Sequence, residues 1–273
     1  MRNFTNGFVA VCIAAVLQML VAGQCHAGYA RFNSLTDTIR VDGDSVLGTA
    51  ATFEARIMLL SPHQSGDGRV FNEWKSGAED KILSMSASAG GGMAWPSTGL
   101  GYSATIPQNV WHHLAYVYDG NQERLYLDGS LVLSQPTSGG PNISNSPSST
   151  CAVGAIYRDG RVCEGFVGLI DTLRISTVAR YSGAGFQPPD GDLTSDSYTN
   201  LLYTFNESAG STTVTDLSAN GRNGNLGTGF AGATSPELVA VPEPSSLLLL
   251  FTGLGGLGGL TWRRRASVAS VAE

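Results

Sequence analysis

Between two long apolar runs at its ends, the chain is a succession of short runs that alternate or stay apolar and then break at Gly, Asp, Asn or Pro. Thr38–Val41 precedes Asp42-Gly43-Asp44, and Ala51–Leu60 precedes Ser61-Pro62. Arg69–Lys75 and Lys81–Ala87 are separated by Ser76-Gly77 and closed by Ala89-Gly90-Gly91-Gly92. Val110–Tyr118 leads through Asp119-Gly120 into Glu123–Leu127, and Asp128-Gly129 turns that run into Ser130–Ser134. No stretch sustains a helical period with caps at both ends, so the pattern predicts strands joined by tight turns. Many short strands of this kind build a sandwich or a barrel. Gln135–Thr150, rich in Pro, Ser, Gly and Asn, is expected to be a long loop. Within Trp111–Tyr118, alternation puts Trp111, His113, Ala115 and Val117 on one face and His112, Leu114, Tyr116 and Tyr118 on the other. Both faces carry large groups, which predicts a central strand covered on both sides.

The two terminal runs have a different character. Arg2 followed by the apolar Phe8–Val21, with Cys25-His26-Ala27 ahead of Gly28, has the layout of a signal peptide over residues 1–27. A lipobox would need a small residue directly before Cys25, where Gln24 stands. At the other end Val241-Pro242-Glu243-Pro244-Ser245-Ser246 leads into an apolar run from Leu247 to Trp262, then Arg263-Arg264-Arg265 and a tail ending at Glu273. The run is shorter than the ~20 residues that cross a bilayer comfortably, but snorkelling arginines extend its reach. This predicts a transmembrane segment over 247–262 with a basic cytoplasmic tail over 263–273. A linker over 236–246 would join it to one domain over 28–235.

Charge and cysteines narrow the picture. The chain carries 16 Lys or Arg against 22 Asp or Glu, a formal net charge of −6. Three of those arginines stand in the tail, so the domain is more acidic still and has no basic cluster to neutralise phosphates. Nucleic acid is thereby disfavoured as a partner. Cys12 and Cys25 fall in the signal peptide, leaving Cys151 and Cys163 in the domain. An even pair in an exported chain reads as a disulfide. Ala152–Tyr157 and Arg161-Val162 look like strand arms around Asp159-Gly160, which would bring the two cysteines close. A loop that short stabilises by ~3 kcal/mol in the chain-entropy account. Without a histidine cluster beside them, two cysteines do not make a zinc site.

The C-terminal order of Pro-Glu-Pro, glycine-containing apolar run and arginine cluster resembles the PEP-CTERM sorting signal of Gram-negative bacteria. The residues that carry it are Pro242, Glu243, Pro244, Arg263, Arg264 and Arg265. The resemblance implies recognition by an exosortase-type enzyme while the C-terminal helix holds the protein in the inner membrane. Tail removal and delivery to the cell surface or an extracellular matrix rich in exopolysaccharide would follow. A second resemblance rests on Trp111-His112-His113-Leu114-Ala115-Tyr116-Val117-Tyr118-Asp119-Gly120 and Arg124-Leu125-Tyr126-Leu127-Asp128-Gly129. This wording is similar to the laminin-G-like jelly roll of the concanavalin A-like lectin/glucanase fold. Ala30–Asn33 with Asp37–Val41, Thr52–Ile57, Val153-Gly154 and Phe166–Ile175 extend the likeness, and Ala179–Gly183 with Phe186–Pro189 resembles the turn after the closing strand. Coverage runs from about Gly28 to Pro189. Leu201–Phe205 and Asp216–Gly221 resemble a strand and turn that accompany such domains, so 199–230 is expected to add a strand. The implied fold is all-β, a two-sheet jelly-roll sandwich, with Trp111, His113, Asp119, Gly120, Asp128 and Gly129 as structural motif residues.

The fold includes glucanases, so the acids matter. Retaining glycosidases need two carboxyl groups ~5–5.5 Å apart, and an acid-x-acid-x-acid strand would supply them. None occurs: Glu54, Glu73 and Asp171 are isolated, and Glu79 and Asp80 would point to opposite faces. His112 and His113 likewise face opposite sides, and no Gly-x-Ser-x-Gly elbow accompanies them. Calcium suits hard oxygen ligands, and laminin-G-like relatives bind it at rim carboxylates. Asp119, Asp128, Asp159 and Asp171 are candidates, each equally explained by turn preference. Trp74, Trp95 and Tyr102 could form a sugar-stacking platform or be core. The expectation is a non-catalytic exported protein serving adhesion or binding of glycan, exopolysaccharide or a matrix protein. The alternative is a degenerate, glycoside hydrolase-like carbohydrate-active protein.

Overall fold

The computed structural model describes residues 28–43, 45, 49–60, 68–75, 84–88, 92–95, 100–102, 106–136 and 149–240, with only the backbone described at 75, 84–88, 92–95, 100–102 and 149. The expected signal peptide (1–27), Pro242, Glu243, Pro244, the expected span 247–262 and Arg263-Arg264-Arg265 lie outside the described residues. Gly28–Ala240 forms a compact unit. Among the described residues there is no helix.

The strands begin with β1 (Gly28–Phe32), β2 (Ile39–Val41), β3 (Ala51–Leu59), β4 (Arg69–Lys75), β5 (Ser84–Ser88) and β6 (Gly92–Trp95). They continue with β7 (Leu100–Tyr102), β8 (Trp111–Tyr118), β9 (Gln122–Leu127), β10 (Ser130–Pro136), β11 (Ser149–Val153) and β12 (Ile156–Arg158). The last are β13 (Arg161–Cys163), β14 (Gly168–Ser176), β15 (Thr199–Tyr203), β16 (Thr213–Val214), β17 (Gly224–Leu226) and β18 (Glu237–Ala240). One sheet runs β10-β9-β8-β3-β14-β1-β18, with β15 also on β14. The other runs β16-β17-β2-β11-β4-β5-β6-β7, and β12 with β13 forms a separate hairpin. Every ladder between these strands is antiparallel.

Period-two alternation makes the sandwich. In β3 the residues Phe53, Ala55, Ile57 and Leu59 enter the core, while Glu54, Arg56 and Met58 take the other face. Phe53 meets Phe71 of β4 across the layers at 6.0 Å between ring centroids, and Phe32 meets Phe166 edge-on at 6.0 Å. Each buried side chain of this size stabilises by ~1.5–3 kcal/mol, and aromatic contact adds ~0.5–1.5 kcal/mol. A smaller apolar cluster lies outside the first sheet, where Ala115, Val117 and Tyr126 are covered by Tyr181 and Phe186. Those two rings stack at 3.5 Å, 1° from parallel. Phe186 N donates to Gly129 O and Leu131 N to Ala184 O, tying this outer strap to the β9–β10 turn. Gly129 has φ 76°, and a Cβ there would stand 2.0 Å from Phe186 O. β8 is therefore central and covered on both faces, as its alternation predicts.

Four expectations change. Cys151 and Cys163 are not joined in a disulfide. Cys151 pairs with Val41 and Glu73 inside the second sheet, whereas Cys163 stands opposite Ile156 in the hairpin. The presumed arm Ala152–Tyr157 is two strands, because Gly154 at φ 87° breaks it. The region over 199–230 adds strands to both sheets: β15 joins the first and β16–β17 the edge of the second. Finally, residues 237–240 of the expected 236–246 linker are the edge strand β18.

Candidate functional site

β8, β3 and β14 lie side by side, and their outward residues meet under the strap. Registers Glu54↔Arg174 and Arg56↔His113 set Glu54, Arg174 and His113 in one group. Arg174 donates from Nε and Nη2 to Glu54 Oε1 at 2.9 and 2.7 Å. Tyr181 donates its hydroxyl to Oε2 at 2.6 Å, and His113 Nε2 lies 3.2 Å from the same oxygen. A carboxylate only accepts, so this His113 nitrogen carries its proton. The His113 ring meets Phe186 edge-on at 5.6 Å. Burial pushes the Glu54 carboxyl up, but the His113 hydrogen bond and the Arg174 charge outweigh it and hold Glu54 below its usual range. Burial and the neighbouring Glu54 push the Tyr181 hydroxyl up. With Arg174, Tyr181 and His113 all on the Glu54 carboxylate, the arrangement ties the strap to the sheet.

Beyond the strap the same face is partly open. Arg56 donates to Asp171 at 2.7 Å and lies 4.8 Å from the Trp111 ring centroid. Trp111 meets Tyr29 edge-on at 6.2 Å, and Arg31 lies over Tyr29 at 5.9 Å. Trp111, Tyr29, Arg31, Arg56 and Met58 are all half-buried, a mixed aromatic and guanidinium surface.

The turn acids serve the backbone. Asp128 at φ 50° accepts from His113 N at 2.9 Å and pairs with His112 Nδ1 at 2.8 Å, pinning the β9–β10 turn to β8. Asp119 accepts from Asn121 N, Gln122 N and Arg124 Nη1, while Gly120 at φ 100° completes that turn. Burial raises the Asp119 carboxyl, but these hydrogen bonds outweigh it and bring it below its usual value. Asp159 is exposed beside Arg158, and Asp171 holds Arg56. The four calcium candidates thus sit apart, and at Asp119, Asp128 and Asp171 nitrogen donors occupy the oxygens. Among the described residues no group of three His, Cys, Asp or Glu could hold a metal ion. Among the described residues, these four acids do not come together as a calcium site.

Glu73, Glu123 and Arg222 are buried as well. Glu73 accepts from Ser45 N at 3.1 Å. Glu123, fully buried, accepts from the Tyr116 hydroxyl and from Gln135 Nε2, both at 3.0 Å. Arg222 reaches Ser45 Oγ, Asn200 Oδ1, the carbonyls of Gly43 and Asp42, and Cys151 Sγ at 3.5 Å. This second contact further fixes Cys151 away from Cys163. Trp74 is half-buried on β4, while the side chains of Trp95 and Tyr102 lie outside the described residues. Reading by sequence missed Arg174, Tyr181 and Arg222. The available signal was charge set inside two largely apolar runs, Glu54 and Arg56 in one and Asp171 and Arg174 in the other.

The family model for the concanavalin A-like lectin/glucanases superfamily matches residues 33–184, and the chain belongs to that superfamily. The PEP-CTERM protein-sorting motif matches residues 240–265, which marks an exported protein sorted through the membrane. Among solved structures, the chain is similar to a candidate carbohydrate binding protein from Bacteroides ovatus, at 17% identity and a TM-score of 0.53. The match covers 80% of this chain and 61% of that one, so the chain spans under two thirds of that relative's length. It is also similar to a heptameric SAP-like pentraxin from Limulus polyphemus, at 19% identity, TM-score 0.45, covering 61% and 86% of the two chains. A third likeness is to the NanB sialidase of Streptococcus pneumoniae, at 20% identity, TM-score 0.42, covering 57% and 26%. At 17% identity the likeness to the Bacteroides ovatus protein describes the fold alone. No curated protein matches.

Proposed function

We propose that this is a non-catalytic surface or matrix protein. Its sandwich binds exopolysaccharide, another glycan or a matrix protein after an exosortase-type enzyme has processed the C-terminal signal. The supporting observation is the state of the carboxylates. Glu54, Asp171, Glu73 and Glu123 are each held by donors of the protein itself, and a hydrolase of this fold needs two such groups facing one substrate. The Bacteroides ovatus relative supports carbohydrate as the ligand class. Superfamily membership and the sorting motif together support display outside the inner membrane, and Trp111 with Tyr29 offers the aromatic surface.

The test is a glycan array probed with the purified Gly28–Val241 protein, beside an assay for reducing sugar released from β-glucans and matrix polysaccharides. Binding without release is expected, with Trp111→Ala lowering binding by about tenfold or more. Release of sugar at an enzyme-like rate overturns the reading in favour of a glycoside hydrolase. Absence of binding to any glycan leaves the partner as protein, to be captured from matrix extract.

A further inference from the structure

The outer face of the second sheet carries a cluster that lies apart from the Trp111 surface. Registers Asn225↔Arg40, Arg40↔Ala152 and Ala152↔Asn72 set one row across β17, β2, β11 and β4, and Thr150↔Trp74 adds the pair beside it. Period two turns these side chains outward, since Ile39, Phe71 and Val153 of the same strands enter the core. Two rings join them from outside the sheet. Thr150 donates its hydroxyl to Tyr157 O at 3.0 Å, which fastens the β12–β13 hairpin over this face. The loop after β17 crosses Arg40 so closely that a Cβ on Gly229 would stand 2.4 Å from its Nε. The next residue, Phe230, stacks on Tyr157 at 4.5 Å between ring centroids, 12° from parallel. Trp74, Tyr157 and Phe230 are all half-buried.

The polar groups among these rings define what fits them. Asn72 is 4% exposed, and its Oδ1 has no hydrogen-bond partner among the described residues. Arg40 Nε is buried and unpartnered in the same sense, while Nη2 lies 3.0 Å from Asp42 Oδ1, which cancels the guanidinium charge. One acceptor and one donor thus stand unmet on the two strands that flank β11, and such groups are costly to bury. A carboxylate only accepts and an ammonium only donates, whereas a hydroxyl does both. A sugar ring carries hydroxyls at its rim and C–H groups on its face, so it matches the polar pair and the aromatic rings together. We propose that this face is a second binding site, for neutral, hydroxyl-rich glycan chains, and that one domain cross-links two chains held on opposite faces of its sandwich. This rests on the glycan reading of the Trp111 surface. The loop is fastened at its ends by Gly227 N to Thr38 O and Thr234 N to Thr36 O. Between them its one backbone hydrogen bond among the described residues is internal, Ala233 N to Phe230 O. Unstacking Phe230 therefore admits a sugar to Arg40 without unfolding a strand.

The experiment titrates the full chain with the neutral and uronate hexasaccharides of a glycan array, and follows light scattering with the polymer of the best-bound one. The parent is expected to take up about two neutral hexasaccharides per chain, and Phe230→Ala and Trp111→Ala about one each. Scattering rises with the parent and stays flat with either variant, because cross-linking needs both sites. The site left in Trp111→Ala binds uronates about tenfold more weakly than neutral sugars, since Asp42 already occupies the guanidinium. Adding Asn72→Leu to Trp111→Ala lowers the remaining affinity about tenfold while the unfolding midpoint holds or rises, because an unmet buried group is removed. A merely structural Asn72 would move the midpoint and leave binding alone. Uptake of one hexasaccharide by the parent, with Phe230→Ala binding as the parent does, overturns the second site. Unchanged affinity on Asn72→Leu overturns it as well and leaves the polar pair to an ordered water. A parent that binds none of the sugars overturns instead the glycan reading of both faces, so the two failures are distinguishable.

Discussion

Glu54 shows at one residue how this fold spends its polar groups. Its carboxylate is buried yet ionised, because Arg174, His113 and Tyr181 replace the water it gives up. Glu54→Gln leaves the Arg174 guanidinium buried without its counter-charge, a loss of about 3–5 kcal/mol in urea unfolding at pH 7. The folded-state pKa lies below the usual 4.5. Its stabilisation is therefore complete above that value and lost as pH falls through the depressed one. The gap between parent and Glu54→Gln should accordingly close in acid, and a gap that persists unchanged at pH 2 contradicts the pairing. The mid-strand charges of Glu54 and Arg174 were visible in the sequence, but their meeting depends on a register between residues 120 positions apart, which periodicity does not encode. The cysteines teach the reverse lesson. Both were visible, and the hairpin around Asp159-Gly160 exists, yet the break at Gly154 sends Cys151 into another sheet. Unfolding the domain without reductant should expose two alkylatable thiols by mass; in the folded protein both should react slowly, since Cys151 is buried and burial pushes the Cys163 thiol up.

At the scale of elements, legibility followed the turns. Asp128-Gly129 and Asp159-Gly160 both adopt positive φ at both residues, the conformation that Asp-Gly favours in a two-residue hairpin. β9, β10 and β13 could thus be placed from sequence, while β12 was read as part of one longer arm. β6 and β7 were missed because Gly90-Gly91-Gly92 read as a terminator, whereas Gly92 opens β6. β16 and β18 carry two and four residues, too few for an alternation to show, and owe their existence to partners already in place. β18 nevertheless buries Leu238 and covers the edge of β1. Ending the domain at Pro236 rather than Val241 should therefore lower stability by about 2–4 kcal/mol and promote association through the bared β1 edge. Urea unfolding and light scattering of the two proteins decide this, and equal stability would remove β18 from the fold's working parts.

For the whole molecule, both resemblances read from sequence have their match, the superfamily model over 33–184 and the sorting motif over 240–265. The surface proposed for binding was not legible, because Trp111 and Tyr29 stand 82 positions apart in the chain and become neighbours only across intervening strands. The pairing Gly28↔Ala240 carries one more consequence. The two ends of the domain leave from adjacent points of one sheet, so a few glycines would join them into a ring. New ends could then be cut at Asp159-Gly160, where Asp159 is exposed and a Cβ on Gly160 would meet nothing within 4 Å. Such a circular permutant should fold with an unfolding midpoint close to that of the parent. By the same geometry the domain is a cassette: it can be spliced into a surface loop of a host protein through a single narrow stalk, without stretching either partner.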